Sequence, residues 1–284
     1  MKKIYFIEGI PGIGKTTLSL SVENLLSQKS KKVKRYEEHS CENPLDMTRK
    51  AFLLQTEYKQ FIEKCVALAE GSKYSPNDII AEIESKTSLL GEYVIISYLQ
   101  PYFANDALVQ ALRQLYSKEI CNGRISEKEY MDMVFSMFFN FSEDAQDDWF
   151  YIFDGALFQN ILLDMIGFYN ASGKTLKFFY NKLLAALASF DIVILYLYDK
   201  NVETILNETD SARPKMNWLS KYDAWVTKTN WFQMQKKPSL YQNGATAFSY
   251  NLQKAMLDLM NSFSGIDKYF IKARYTSLDL KGVI

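Results

Sequence analysis

Residues Gly9-Ile10-Pro11-Gly12-Ile13-Gly14-Lys15-Thr16-Thr17 fit the pattern G-x-x-x-x-G-K-[ST], and their surroundings decide the fold class. Before them stands Ile4-Tyr5-Phe6-Ile7, an apolar run of strand length. After them Leu18, Val22, Leu25 and Leu26 fall on one helical face. A strand, a glycine-rich turn and a helix, in that order, build a phosphate-binding loop. Glycines let successive backbone N–H groups point into one concavity, and the helix N-terminus adds partial positive charge there. In such a loop Gly9, Pro11, Gly12, Ile13, Gly14, Lys15, Thr16 and Thr17 surround the phosphates. Lys15 reaches the β- and γ-phosphates, and the Thr16 hydroxyl completes a Mg²⁺ site. The expected nucleotide is ATP or GTP.

Outward from this loop, five segments read as buried parallel strands: Lys3–Glu8, Lys32–Glu37, Trp149–Asp154, Ile192–Tyr198 and Lys268–Ala273. Helical patterns separate them, as in an α/β domain with crossover connections. One such helix, Lys174–Ala188, carries Leu176, Phe179, Tyr180, Leu183, Leu184 and Leu187 at core-facing spacing. More than a hundred residues lie between the second and third strands. Helical runs near Arg49–Glu70, Pro76–Thr87, Asn105–Ser117 and Ser126–Asn140, with few glycines or prolines, predict a helical cap on the same core. The expected organisation is a single domain over 1–284. Its core is 1–40, 145–206 and 245–284, with a helical insert at 45–140 and a mobile lid at 207–244. The lid carries Arg213, Lys215, Lys221, Lys228, Lys236 and Lys237 among tryptophans.

Composition narrows the partners. The net charge is zero and no basic block exceeds Lys29–Arg35, which argues against a nucleic-acid polymer or an anionic membrane. Cys41, Cys65 and Cys121 are odd in number and widely spaced, with His39 the single histidine. A disulfide framework or zinc site is therefore not expected, and a reducing cytoplasm is the expected location. The apolar run after Met1-Lys2-Lys3 ends at Glu8, too soon for a signal peptide. Leu183–Tyr198 is broken by Ser189 and Asp191, so it reads as a helix end plus a strand rather than a membrane span. Aromatics at 15%, with 19 Tyr and 19 Phe, suit an aromatic pocket for a small-molecule acceptor, a homodimer face, or plain core.

A phosphate loop needs a carboxylate to hold or orient Mg²⁺, usually at the end of a neighbouring apolar strand. Asp154, after Trp149-Phe150-Tyr151-Ile152-Phe153 and before Gly155, is the first candidate. Asp199 is the alternative, but it reads more simply as a helix-start residue. After the second strand, Glu38 is preferred over Glu37 as the group that accepts a proton from an attacking hydroxyl. Strand alternation leaves only one of them facing the cleft. His39 is a weaker candidate in the same loop. Arg213, in Ser211-Ala212-Arg213-Pro214, would neutralise phosphate charge if its segment closes. Each has a plainer alternative: a strand-end turn for Asp154, a solvated loop for Glu38, a surface ion pair for Arg213.

Ile4-Tyr5-Phe6-Ile7-Glu8-Gly9, running into Gly14-Lys15-Thr16-Thr17, resembles the opening of thymidylate kinases and deoxynucleoside kinases. The strand at Leu195-Tyr196-Leu197, a short helix and then Arg213 look like their fourth strand and arginine-bearing lid. A group of bacterial P-loop kinase-like proteins is more similar still. They share Glu119-Ile120-x-x-Gly123-Arg124, Phe153-Asp154-Gly155-Ala156-Leu157-Phe158-Gln159-Asn160, and Arg213-Pro214 followed by Trp218. This resemblance implies a three-layer P-loop NTPase fold with a five-stranded parallel sheet of order 2-3-1-4-5. It also implies Mg-ATP as donor, an acceptor under the cap, and Lys15, Glu38, Asp154 and Arg213 as catalytic residues. The chain departs from the family in having Asp154-Gly155-Ala156 where an arginine usually follows the acid, and Glu38-His39 where Glu-Pro is common. The leading expectation is a small-molecule kinase. The alternative is a nucleotide-binding regulatory protein with slow ATPase activity and no small-molecule acceptor.

Overall fold

The computed structural model describes residues 2–40, 42–68, 70, 74–98, 114–234 and 243–273. The chain divides into two compact units, residues 1–38 with 144–284, and residues 39–143.

The first unit is built on strands β1 (Lys2–Glu8), β2 (Lys32–Tyr36), β6 (Trp149–Asp154), β7 (Phe190–Tyr198) and β8 (Asp267–Lys272). They form one sheet in the order β2-β6-β1-β7-β8, and every neighbouring pair is parallel. Counted along the chain as strands one to five, that order is 2-3-1-4-5. Parallel neighbours need crossovers, and the helices supply them. The helices are α1 (Lys15–Gln28), α5 (Gln159–Gly167), α6 (Gly173–Ala186), α7 (Val202–Ala212), α8 (Trp218–Val226), α9 (Asn230–Gln233) and α10 (Gly244–Ser262).

Both sheet faces are buried, which explains why the central strands read as continuous apolar runs rather than alternating ones. On one face Tyr5, Ile7, Ile152, Val193, Leu195 and Leu197 pack with Leu18, Val22 and Leu26 of α1 and with Val202, Ile205 and Leu206 of α7. On the other, Phe6 stacks on Phe153 with ring centroids 5.8 Å apart, and Phe153 stacks on Tyr36 at 4.8 Å. Beyond the end of β6, Phe158 is tilted against Tyr180 of α6 and stacked on Phe263 after α10. The arrangement is compatible with a three-layer α/β fold.

The lid region is docked on this unit. Trp218, Leu219 and Tyr222 pack against the core, and Trp225 and Trp231 meet the Phe248 ring of α10 edge-on. Asp223 accepts from the Ala245 N–H at 2.9 Å, which ties α8 to the start of α10. Lys236 and Lys237 lie outside the described residues.

The second unit corrects the expected helical cap. Its strands β3 (Lys50–Leu54), β4 (Thr87–Leu90) and β5 (Tyr93–Ser97) form an antiparallel sheet of order β3-β5-β4. Helices α2 (Gln55–Leu68) and α3 (Pro76–Glu84) pack on it, and α4 (Glu127–Asp144) completes the described helices there. The run assigned to a helix from Arg49 thus begins as a strand. Ala51 and Leu53 share an apolar core with Val94 and Ile96 of β5 and with Phe61, Ile79 and Ile83. Between β4 and β5, Gly91 sits at φ 60 in a two-residue turn, the positive φ that hairpin turns of this length require. Helix α3 starts where Ser75 and Asp78 cap each other reciprocally and Pro76 fills the first turn. The expected helix at Asn105–Ser117 falls largely outside the described residues; its end is a short 3₁₀ turn, Leu115–Lys118.

Candidate phosphate-binding site

Every candidate site residue except His39 lies in the first unit. The loop between β1 and α1 bends through Gly9, Gly12 and Gly14 at φ 148, 84 and 103, conformations open to glycine. Two of these glycines are also steric requirements. A Cβ on Gly9 would stand 2.7 Å from the Leu197 carbonyl oxygen, and one on Gly12 would stand 2.5 Å from the Thr209 hydroxyl. Gly14 differs, because a Cβ there would meet nothing within 4 Å. Pro11 and Ile13 complete the curve, with Ile13 buried in the core beneath it. Thr16 and Thr17 open α1 and are exposed.

Lys15 turns inward, 5% exposed. Its ammonium donates to the Ile10 carbonyl at 3.3 Å and to Gln159 Oε1 at 2.5 Å. An ammonium has three donors, so these two bonds leave one for an anion. Thr16 donates its hydroxyl to Asp154 Oδ2 at 2.7 Å, joining the start of α1 to the end of β6. Asp154 is 1% exposed, and its Oδ1 is buried with no hydrogen-bond partner among the described residues. A buried carboxylate oxygen left bare is costly unless something cationic or protic meets it.

Glu38 is half-buried and its Oε1 accepts from Gln159 Nε2 at 2.9 Å. Glu37 points to solvent and pairs with Arg35 at 2.5 Å, as strand alternation after Tyr36 requires. Lys15, Glu38, Asp154 and Thr16 are therefore gathered around the carboxyl ends of β1, β2 and β6. That edge of an open parallel sheet is the one where ligands bind.

No protein-family model and no curated protein sequence matches this chain.

Arg213 is not brought to this group by any described contact. It caps the C-terminal end of α7, exposed, with its guanidinium 5.9 Å over the Trp218 ring. Thr209 instead links α7 to the loop, donating to the Gly12 carbonyl at 3.0 Å. Asp199 accepts from the Asn201 N–H at 2.8 Å in the turn that leads into α7. His39, at φ 63, begins the second unit, where its N–H donates to Asp46.

Two site residues have roles that no local sequence signal conveyed. Glu8, 0% exposed, accepts from the N–H groups of Leu157 at 2.7 Å and Gln159 at 3.1 Å. It thereby staples the end of β1 to the turn entering α5. Burial pushes its carboxyl up to about 7, while the backbone N–H groups of Phe158, Gln159 and Leu157 and the charge of Lys15 oppose the shift. The same turn is held by the Tyr180 hydroxyl, which donates to the Leu157 carbonyl at 3.0 Å. Gln159 is the other, 3% exposed and bonded to both Lys15 and Glu38. Gly155, at φ 66, makes room for this: a Cβ there would press on Lys15 Cε at 3.2 Å and Gln159 Nε2 at 3.3 Å.

Among the described residues no group of three or more His, Cys, Asp or Glu side chains stands together as a metal cage. One hydroxyl and one carboxylate with a bare oxygen is instead a donor set of the kind Mg²⁺ uses. That ion keeps several waters and takes its remaining ligands from substrate phosphates. The residues present fit the group, with Thr16 and Asp154 as its protein-side partners. No described helix is long and apolar enough to cross a membrane.

Proposed function

We propose that the chain is an ATP-dependent P-loop phosphotransferase working in the cytoplasm. It would transfer the γ-phosphoryl group to a hydroxyl or phosphate of a nucleoside-like or other small acceptor. The 2.7 Å bond from Thr16 to Asp154, beside Lys15 and with one buried carboxylate oxygen bare, supports this reading most directly. On this reading the Gly9–Thr17 backbone and the Lys15 ammonium bind and orient the phosphates. Thr16 and Asp154 hold Mg²⁺, which supplies charge neutralisation. Glu38 takes the proton from an acceptor hydroxyl. Arg213 takes part only in a closed form of its segment, exchanging the Trp218 ring for a phosphate. The protein's work is positioning and charge stabilisation, with little covalent chemistry of its own.

Incubation with γ-labelled ATP, Mg²⁺ and a panel of nucleosides, nucleoside monophosphates and aminoglycoside- or macrolide-like alcohols tests the proposal. A labelled organic product is expected, abolished by Lys15→Ala with the fold retained. An active Lys15→Ala enzyme overturns the phosphate-loop assignment. The absence of an arginine after Asp154 favours, as a second reading, a regulatory protein that hydrolyses ATP slowly. Glu38→Gln separates the two: about 10²–10⁴-fold lower turnover for the kinase, as loss of a general base gives, and no effect on slow hydrolysis for the regulator.

A further inference from the structure

Gln159 is placed where its amide can be oriented only one way. Its Oε1 faces the Lys15 ammonium at 2.5 Å, and its Nε2 faces Glu38 Oε1 at 2.9 Å and Asn160 Oδ1 at 3.2 Å. Turned over, the amide would set NH₂ against NH₃⁺ and a carbonyl against a carboxylate, so chemistry fixes the orientation. The backbone is fixed as well. The Gln159 N–H donates to Glu8 and the Asn160 N–H donates to the Gly155 carbonyl at 3.0 Å. A neutral dipole thus stands between a cation and an anion in a site where Lys15 and Gln159 are almost fully buried.

Opposite charges separated by one amide in a poorly solvated site attract strongly. Without the amide, the long Lys15 side chain would close on Glu38. That ion pair would occupy both the ammonium needed for phosphate and the carboxylate needed for the acceptor proton. The geometry points to Gln159 as a positioning residue that keeps Lys15 and Glu38 apart, so that the ammonium is not captured by the carboxylate. This rests on the phosphotransferase reading for the roles of Lys15 and Glu38. It adds to that reading a residue that touches neither the reacting atoms nor the metal.

The test is a double-substitution cycle read by calorimetric affinity for Mg-ADP, which needs no acceptor. Gln159→Met keeps side-chain length and volume and removes both polar atoms; Gln159→Ala is run beside it in case the thioether does not fit. Melting curves report the fold of each. Glu38→Gln alone is expected to leave Mg-ADP affinity within about threefold. Gln159→Met or Gln159→Ala is expected to weaken it tenfold or more, because Lys15 is then captured. Adding Glu38→Gln to either is expected to restore affinity to within about threefold of the natural chain, since the captor is gone. A merely structural role for Gln159 would not be rescued by removing a charge in the turn after β2. Affinity unchanged by loss of Gln159, or loss that Glu38→Gln fails to rescue, overturns the inference. No binding of Mg-ADP by the natural chain overturns it together with the phosphate-loop reading. Normal binding and rescue, with no phosphorylated product from any acceptor, sinks the kinase reading while leaving the spacer role intact.

Discussion

The single hydrogen of the Thr209 hydroxyl is shared between the Gly12 carbonyl at 3.0 Å and the Ile205 carbonyl at 2.8 Å. The glycine-rich loop between β1 and α1 is therefore tied at its midpoint to the helix that ends in Arg213. Any change in the loop's backbone at Gly12 is felt in α7, and the reverse. Thr209 also fills the space that a side chain at position 12 would need.

That contact separates two glycines that look equivalent in the motif. Gly12→Ala forces a left-handed conformation on a side chain, about 1–2 kcal/mol, and overpacks Thr209, about 1–3 kcal/mol more. Gly14→Ala carries only the first of these, because nothing lies within 4 Å of its Cβ. Chemical denaturation is expected to rank Gly12→Ala well below Gly14→Ala, and Thr209→Ala should return part of the loss at position 12. Equal losses at the two glycines would mean that backbone conformation alone sets the cost.

The buried Glu8 gives the fold a pH dependence with a definite sign. Its carboxyl titrates near 4.5 when unfolded and near 7 in the fold, so between those values the folded chain holds an extra proton. Its contribution to stability is fully present below about pH 4.5 and is lost as pH rises through 7. The size is at most about 3 kcal/mol. Glu8→Gln is uncharged throughout. It leaves an NH₂ facing one backbone N–H, which itself costs about 1–3 kcal/mol. The stability of the natural chain relative to Glu8→Gln should therefore fall from pH 5 to pH 8, as measured by urea midpoints. A difference that stays flat would show that the Phe158, Gln159 and Leu157 N–H groups, with Lys15, hold the carboxylate ionised across the range.

What the sequence made legible follows from what is local. Glycine spacing, an apolar run on one side and a helical stripe on the other mark the loop, and alternation after Tyr36 separates Glu38 from Glu37. The three central strands, β6, β1 and β7, stand out because both of their faces are buried. The small sheet of the second unit was hidden for the opposite reason. Lys50–Leu54 runs directly into α2, so its apolar residues read as one helical pattern, and β5 is five residues long. Gly91 between Leu90 and Tyr93 was the available signal for the hairpin. Gln159, Glu8 and Thr209 act across 144, 149 and 197 residues of chain, and no periodicity encodes such pairings.

Asp154 offers the sharpest distinction between a functional acid and a strand-end turn. Its Oδ2 is bonded to Thr16, while its Oδ1 is buried without a partner among the described residues. A buried carboxylate bonded on one side only is a burden on the empty protein, and substituting such a group is often neutral or stabilising. Asp154→Asn keeps the shape and an acceptor for the Thr16 hydroxyl, so the melting temperature without ligand should hold or rise. Removing the charge should weaken Mg²⁺-dependent ATP binding by about 10–100-fold, the usual effect of losing a metal partner, while binding measured without Mg²⁺ changes little. A structural turn residue would show the reverse, a lower melting temperature with metal dependence intact. Titrating Mg²⁺ against ATP binding for both proteins, alongside their melting curves, decides between the two.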